Sequence, residues 1–171
     1  YSAGMTRQKR VLTVFKDFCT GCRTCEIVCS LVHTGTVNPS LASVKLVHSQ
    51  KDHSSFPIIC RHCKNAPCKA ACPIPYAMYI DEKTEAVVVN AEICIQCLAC
   101  VEACPFAAIQ VGPNKEILKC DLCAGEPLCA EHCPPVRHLY PHMPQPAQSC
   151  LQYVEPPKIT KNKRQMVTKE A

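Results

Sequence analysis

The sequence predicts an α+β fold of short strands, hairpins and short helices, on three observations. Seventeen of the 171 residues are cysteine, and sixteen of these fall into four tight runs. The apolar segments between the runs are only a few residues long and are joined by turn residues such as Asn38-Pro39 and Gly112-Pro113-Asn114. The chain has nine aromatic residues and no Trp, so a side-chain core would be thin for this length. Something other than apolar packing must supply cohesion.

Taken in order, Val11 to Phe15 alternates apolar and mixed residues and is expected as a first strand. It leads into Cys19-x-x-Cys22-x-x-Cys25-x-x-x-Cys29, in which Gly21 lets the backbone approach sulfur closely and Ser30 stands where the other runs have proline. Residues 31 to 50 form a connector with a strand across Ser43 to His48, and Phe56 to Ile59 feeds the second run. That run is Cys60-x-x-Cys63, then Cys68 after a wider interval, then Cys72 followed by Pro73. Ala77 to Ile80 and Ala86 to Asn90 flank the polar Asp81 to Glu85 and predict a hairpin.

The third run, Cys94 to Cys104, reads CIQCLACVEAC and is followed by Pro105. Three closely spaced thiolates can wrap one corner of a metal cluster. The fourth lies four residues on, so one helical turn sets it about 5–6 Å away, facing a second centre. Pro105 then turns the chain out of helical geometry. A second hairpin, Ala108 to Val111 with Glu116 to Lys119, leads to the fourth run, Cys120-x-x-Cys123, Cys129 and Cys133 with Pro134. The succession of thiol run, hairpin and thiol run is an internal repeat. From Pro134 onward, seven of 38 residues are Pro, and Lys and Arg predominate at the end.

Four readings are set aside. The formal charge of +5 was counted with neutral thiols; four cubanes at roughly −2 each would bring it to about −3, which removes the case for nucleic acid. No GxGxxG, phosphate loop, HExxH or nucleophile elbow occurs, so no site for transforming an organic substrate is expected. Zinc would take two CxxC pairs and stop at a closed tetrahedron, which four runs of three crowded thiols plus one do not match. A disulfide framework needs an oxidising compartment, whereas Val11 to Phe15 is too short for a signal h-region and no apolar run approaches a membrane span. A cytoplasmic protein is expected.

The spacing CxxCxxCxxxCP is the ferredoxin run for iron–sulfur clusters. Four runs in this order resemble the four-cluster, ferredoxin-like iron–sulfur subunits of molybdenum and tungsten oxidoreductases and of some hydrogenase and carbon monoxide dehydrogenase systems. CRHCKNAPCKAACP and CIQCLACVEACPFAAI carry the resemblance most closely. It implies a duplicated ferredoxin-like fold binding four [4Fe-4S] clusters. In the family the second and third runs pair, and the first pairs with the fourth. Carried onto this chain, one cluster takes Cys19, Cys22, Cys25 and Cys133; a second Cys120, Cys123, Cys129 and Cys29; a third Cys60, Cys63, Cys68 and Cys104; and a fourth Cys94, Cys97, Cys100 and Cys72. His62 is expected beside a cluster or on the surface, and Cys150 as a free thiol.

The resemblance further implies a non-catalytic electron-transfer subunit. Its partners would be a catalytic oxidoreductase subunit at one end and a second donor, acceptor or carrier at the other. A tungsten- or molybdenum-pterin partner, such as an aldehyde-oxidising enzyme, is favoured, with a nickel hydrogenase or carbon monoxide dehydrogenase as the alternative. A free-standing polyferredoxin is a further reading, which the Pro-rich tail disfavours, and stacking into longer assemblies is compatible with the chain. Residues 1–10 are expected as a tag remnant and N-terminal arm, 11–140 as the four-cluster domain, and 141–171 as a Pro-rich, basic extended tail lying on the core or over a partner.

Overall fold

The computed structural model describes residues 10–51, 53–135 and 149–155. The expected N-terminal arm, Arg10 apart, and the tail on either side of 149–155 lie outside the described residues. Among the described residues, eight strands form four separate two-stranded antiparallel ribbons, and four α-helices connect them. This is the α+β arrangement of short hairpins and short helices that the sequence predicts.

β1 (Val11–Val14) precedes a single 3₁₀ turn at Lys16–Phe18 and the first run. Helix α1 (Thr24–Thr34) carries Cys25 and Cys29 and continues five residues beyond Cys29. In the other runs a proline follows the last thiol and the helix is four residues long. With Ser30 in its place the helix runs on, and the Ser30 hydroxyl, fully buried, donates to Ile27 O and accepts from Asn38 N at 3.1 Å. Gly35 ends the helix at φ 70°, its N–H donating to Leu31 O at 2.8 Å.

β2 (Lys45–His48) pairs with β3 (Ser55–Ile58), and the ribbon accepts Pro57 because both of its strands are edges. Glu26 on α1 is buried, and its Oε1 accepts from Leu46 N at 2.9 Å, tying helix to ribbon. Next come α2 (Pro67–Ala70) and the expected hairpin, β4 (Met78–Ile80) with β5 (Val87–Val89). Asp81 closes its turn by accepting from the Thr84 amide and hydroxyl at 2.8 and 2.6 Å. α3 (Ala99–Glu102), the hairpin β6 (Gln110–Val111) with β7 (Ile117–Leu118), and α4 (Leu128–Glu131) complete the repeat.

β8 (Leu151–Val154) arises from the Pro-rich end of the chain and pairs with β1 in the register Val11↔Val154 to Val14↔Leu151. Of the two courses open to the tail, these four residues take the one on the core. Leu151, 1% exposed, is the anchor; burying a Leu contributes about 1.5–3 kcal/mol.

Two small cores result. Ala42, Val44, Ile59 and Leu151 pack with Cys25 and Cys129 in an outer unit, where α1 lies against α4. Met78, Val87 and Ile109 pack with Cys68 and Cys100 in an inner unit, where α2 lies against α3. Each core therefore closes around thiols. Among the described residues no helix is long and apolar enough to cross a membrane.

Candidate metal centres

The residue just before the second Cys of every run has positive φ: Gly21 at 71°, His62 at 44°, Gln96 at 56° and Leu122 at 60°. In the first three runs the residue two before the third Cys repeats the device, Arg23 at 61°, Ala66 at 33° and Leu98 at 65°. Alternating left-handed residues curl the chain so that successive thiols and N–H groups face one concavity. Six of these seven positions are not glycine, and such residues held left-handed cost on the order of 1–3 kcal/mol each. The fourth run differs because Pro127, two before Cys129, is held at φ −67°; Cys123, Ala124 and Gly125 take the positive φ instead. Its longer interval absorbs that shift.

Cys19, Cys22, Cys25 and Cys133 line one hollow, with Cys150 as a fifth thiol on its wall. Cys29, Cys120, Cys123 and Cys129 line a second. Cys72, Cys94, Cys97 and Cys100 line a third, walled by Ile74, Val89, Ile95 and Ile117. Cys60 and Cys104 both act electrostatically on Cys68, and Cys63 O accepts from Ala66 N at 3.1 Å in the loop between them. Each thiol in the last position of a run thus faces thiols of a different run.

Burial, together with neighbouring thiols, pushes Cys25 and Cys129 up to about 12 and Cys100 up to about 11. Four thiolates crowded into a mostly apolar hollow are costly unless cationic metal offsets their charge. An iron–sulfur cluster fits that requirement, since it takes four thiolates and supplies the charge. Donors aimed at sulfur complete the fit: Ala108 N donates to Cys104 Sγ and Leu151 N to Cys133 Sγ, both at 3.4 Å. Cys29 is half-buried; burial pushes its thiol up, yet His33 and the Ser43 and Val44 amides hold it below the ordinary thiol range. His33 Nε2 donates to Asp121 Oδ1 at 3.1 Å and Nδ1 to Cys29 O at 2.8 Å. Asp121, followed by the nearby thiols, holds the His33 ring protonated well above its usual range.

Two thiols, Cys22 and Cys97, are exposed, one in the first cavity and one in the third. His62 stands inside its run with Nδ1 accepting from Val87 N at 3.1 Å, which braces the second run against β5. Cys150, outside the repeat and read from sequence as a free thiol, is 2% exposed and hydrogen-bonded with Cys19. Lys119, which sequence reasoning did not single out, is also buried and donates to Cys60 Sγ at 3.2 Å. Its position directly before Cys120 is the one signal that could have drawn notice.

Thiol-lined hollows built on paired ferredoxin runs define an iron–sulfur protein of the ferredoxin-like class. The family model described as the 4Fe-4S dicluster domain matches residues 51–139, and the chain belongs to that family. It is 41% identical over 133 residues to the "Aliphatic sulfonate oxidoreductase, polyferredoxin-like subunit" of Pyrococcus furiosus, covering 77% of this chain and 76% of that one. It is 35% identical to the "Putative oxidoreductase AegA" of Escherichia coli over 68% of this chain, which spans only 19% of that protein. "Formate hydrogenlyase subunit 2" of Escherichia coli is 32% identical over 63% of this chain and 51% of its own length.

Proposed function

We propose that the chain is the electron-transfer subunit of an oxidoreductase complex, holding four [4Fe-4S] clusters on the sixteen cysteines of its runs. The clusters supply one-electron relay sites. The chain's residues hold them in a row. Run one and run four share two hollows, and run two and run three share one hollow and the neighbouring Cys60, Cys68 and Cys104, which supports a pair of clusters bridged by α1 with α4 and another by α2 with α3.

The observation that carries this reading is the placement of exposed thiols along the row. Lys119, directly before Cys120 of the outer unit, donates to Cys60 Sγ of the inner unit at 3.2 Å, which supports placing those two sites in the middle of the row. Cys22 and Cys97, the exposed thiols, then belong to its two ends. A row closed in the middle and open at both ends suits a chain that docks one redox partner at each end.

One partner is a catalytic subunit. The likeness to an aliphatic sulfonate oxidoreductase subunit supports an oxidoreductase, and the resemblance of runs two and three to pterin-enzyme subunits favours tungsten or molybdenum. The likeness to formate hydrogenlyase subunit 2 supports a nickel hydrogenase as the second reading. Elemental analysis of the complex purified anaerobically distinguishes them. About sixteen irons per chain with tungsten or molybdenum co-eluting is the expected result. Nickel in their place moves the assignment to the second reading, and zinc without iron overturns the function altogether.

A further inference from the structure

Lysine is rarely buried without a charged partner. Lys119 is 9% exposed, and its ammonium donates hydrogen bonds to Val87 O and to Cys60 Sγ, the latter at 3.2 Å. A carbonyl and a neutral thiol would leave that charge unmatched, whereas a metal-bound thiolate matches it. Its influence reaches Cys68 as well, where it opposes the upward push of burial. In the chain Lys119 immediately precedes Cys120, which lines the second cavity of the outer unit. The ammonium therefore stands where the two units meet, with its backbone on one side and its donor on sulfur of the other.

We propose that Lys119 sets the reduction potential of the cluster held by Cys60, Cys63, Cys68 and Cys104, raising it above what the same cage would give without the ammonium. The inference rests on the function proposed above. One-electron reduction takes such a cluster with its thiolates from about −2 to about −3; no bond breaks and no proton is needed. A fixed cation at hydrogen-bond distance from a ligating sulfur stabilises the more negative form more strongly. Hydrogen bonds to cluster sulfur act in the same direction. Electrons crossing between units are thereby favoured on the inner side of the junction.

The test is a dithionite titration of the anaerobically purified, iron-loaded full chain, followed by electron paramagnetic resonance and compared with Lys119→Met, Lys119→Gln and Lys119→Arg. In Lys119→Met, one midpoint is expected to fall by the equivalent of at least a tenfold change in the reduced-to-oxidised ratio, 59 mV for one electron. Lys119→Arg keeps the charge and should restore most of that shift. If the Met variant does not load, Lys119→Gln, which retains an N–H donor without charge, is titrated in its place and should show the same fall. A full complement of iron with every midpoint unmoved overturns this inference alone. Arg and Met variants shifting alike overturn it too, because packing would then be the cause. A wild-type chain that binds no iron overturns the proposed function with it.

Discussion

The inner and outer units hold the same kinds of part but are joined differently. The inner unit is contiguous: its two runs, α2, α3 and both hairpins lie between Cys60 and Leu118. The outer unit is assembled from segments on either side of it, so that His33 meets Asp121 across 88 residues and β1 meets β8 across the whole described chain. Closing a loop of that length costs conformational entropy, and the inner unit reduces the cost by folding the intervening chain into a compact insert. The outer unit adds contacts the inner one lacks: a three-turn helix, a buried Glu26 and a strand from the far end of the sequence. The locally built unit stands on its cysteines, and the remotely built one needs extra ties.

Stripping iron is the most severe way to break the comparison, since both cores close around thiols. Circular dichroism of the chelator-treated protein is expected to show loss of most secondary structure, and a spectrum left intact would mean that side-chain packing alone holds both units. Ending the chain at residue 148 should separate them. Without β8 the outer unit loses Leu151 and the N–H donor to Cys133, and iron per chain is expected to drop from about sixteen to about eight. An unchanged iron count would show that β8 is an ornament on a unit that closes without it.

A smaller effect is expected from Glu26→Ala, which leaves the Leu46 amide without its acceptor and should destabilise the outer unit by about 1–3 kcal/mol in denaturant melts. Glu26→Gln keeps an acceptor at that place and should recover most of the loss. If both variants melt alike, the tie between α1 and the β2–β3 ribbon is not what steadies the outer unit. The smallest effect lies in the inner unit. Hydrogen bonds from Thr84 hold the Asp81 carboxyl below its usual range. A depressed carboxylate contributes its stability above the unfolded pKa of about 3.9 and loses it as pH falls through the folded value. Protection of the Thr84 amide, measured as its exchange rate relative to the unstructured rate at the same pH, should therefore fall as pH drops through that window in the wild type, and should be low at every pH in Asp81→Ala.

Much of this architecture was legible because thiol spacing is a demand of ligation and leaves little freedom. The hairpins at Ala77–Asn90 and Ala108–Lys119 followed from apolar pairs around Asp81–Glu85 and Gly112–Lys115. What escaped notice has physical reasons. His62, Gln96 and Leu122 have no intrinsic bent for positive φ, so only Gly21 betrayed the turn that all four runs share. The extension of α1 was foreshadowed by Ser30 in the place of proline, but a missing breaker does not say where a helix ends; Gly35 does. β8 was hidden because Leu-Gln-Tyr-Val sits among prolines and lysines, and its partner strand is some 140 residues earlier, beyond any local pattern. Cys150 and Lys119 gained their surroundings from that same long-range closure.

The pairing of Val11 with Val154 brings residues 10 and 155 to one edge of the same ribbon. A short linker could join them into a ring, and fresh ends could then be opened in the exposed Pro113–Lys115 turn without cutting any sulfur run. In such a circular permutant the fourth run would be followed directly by the first, and the second by the third. The two runs of each unit would then be neighbours in sequence; the outer unit would no longer wait for two distant segments to find each other, and the β6–β7 ribbon would instead join the new ends.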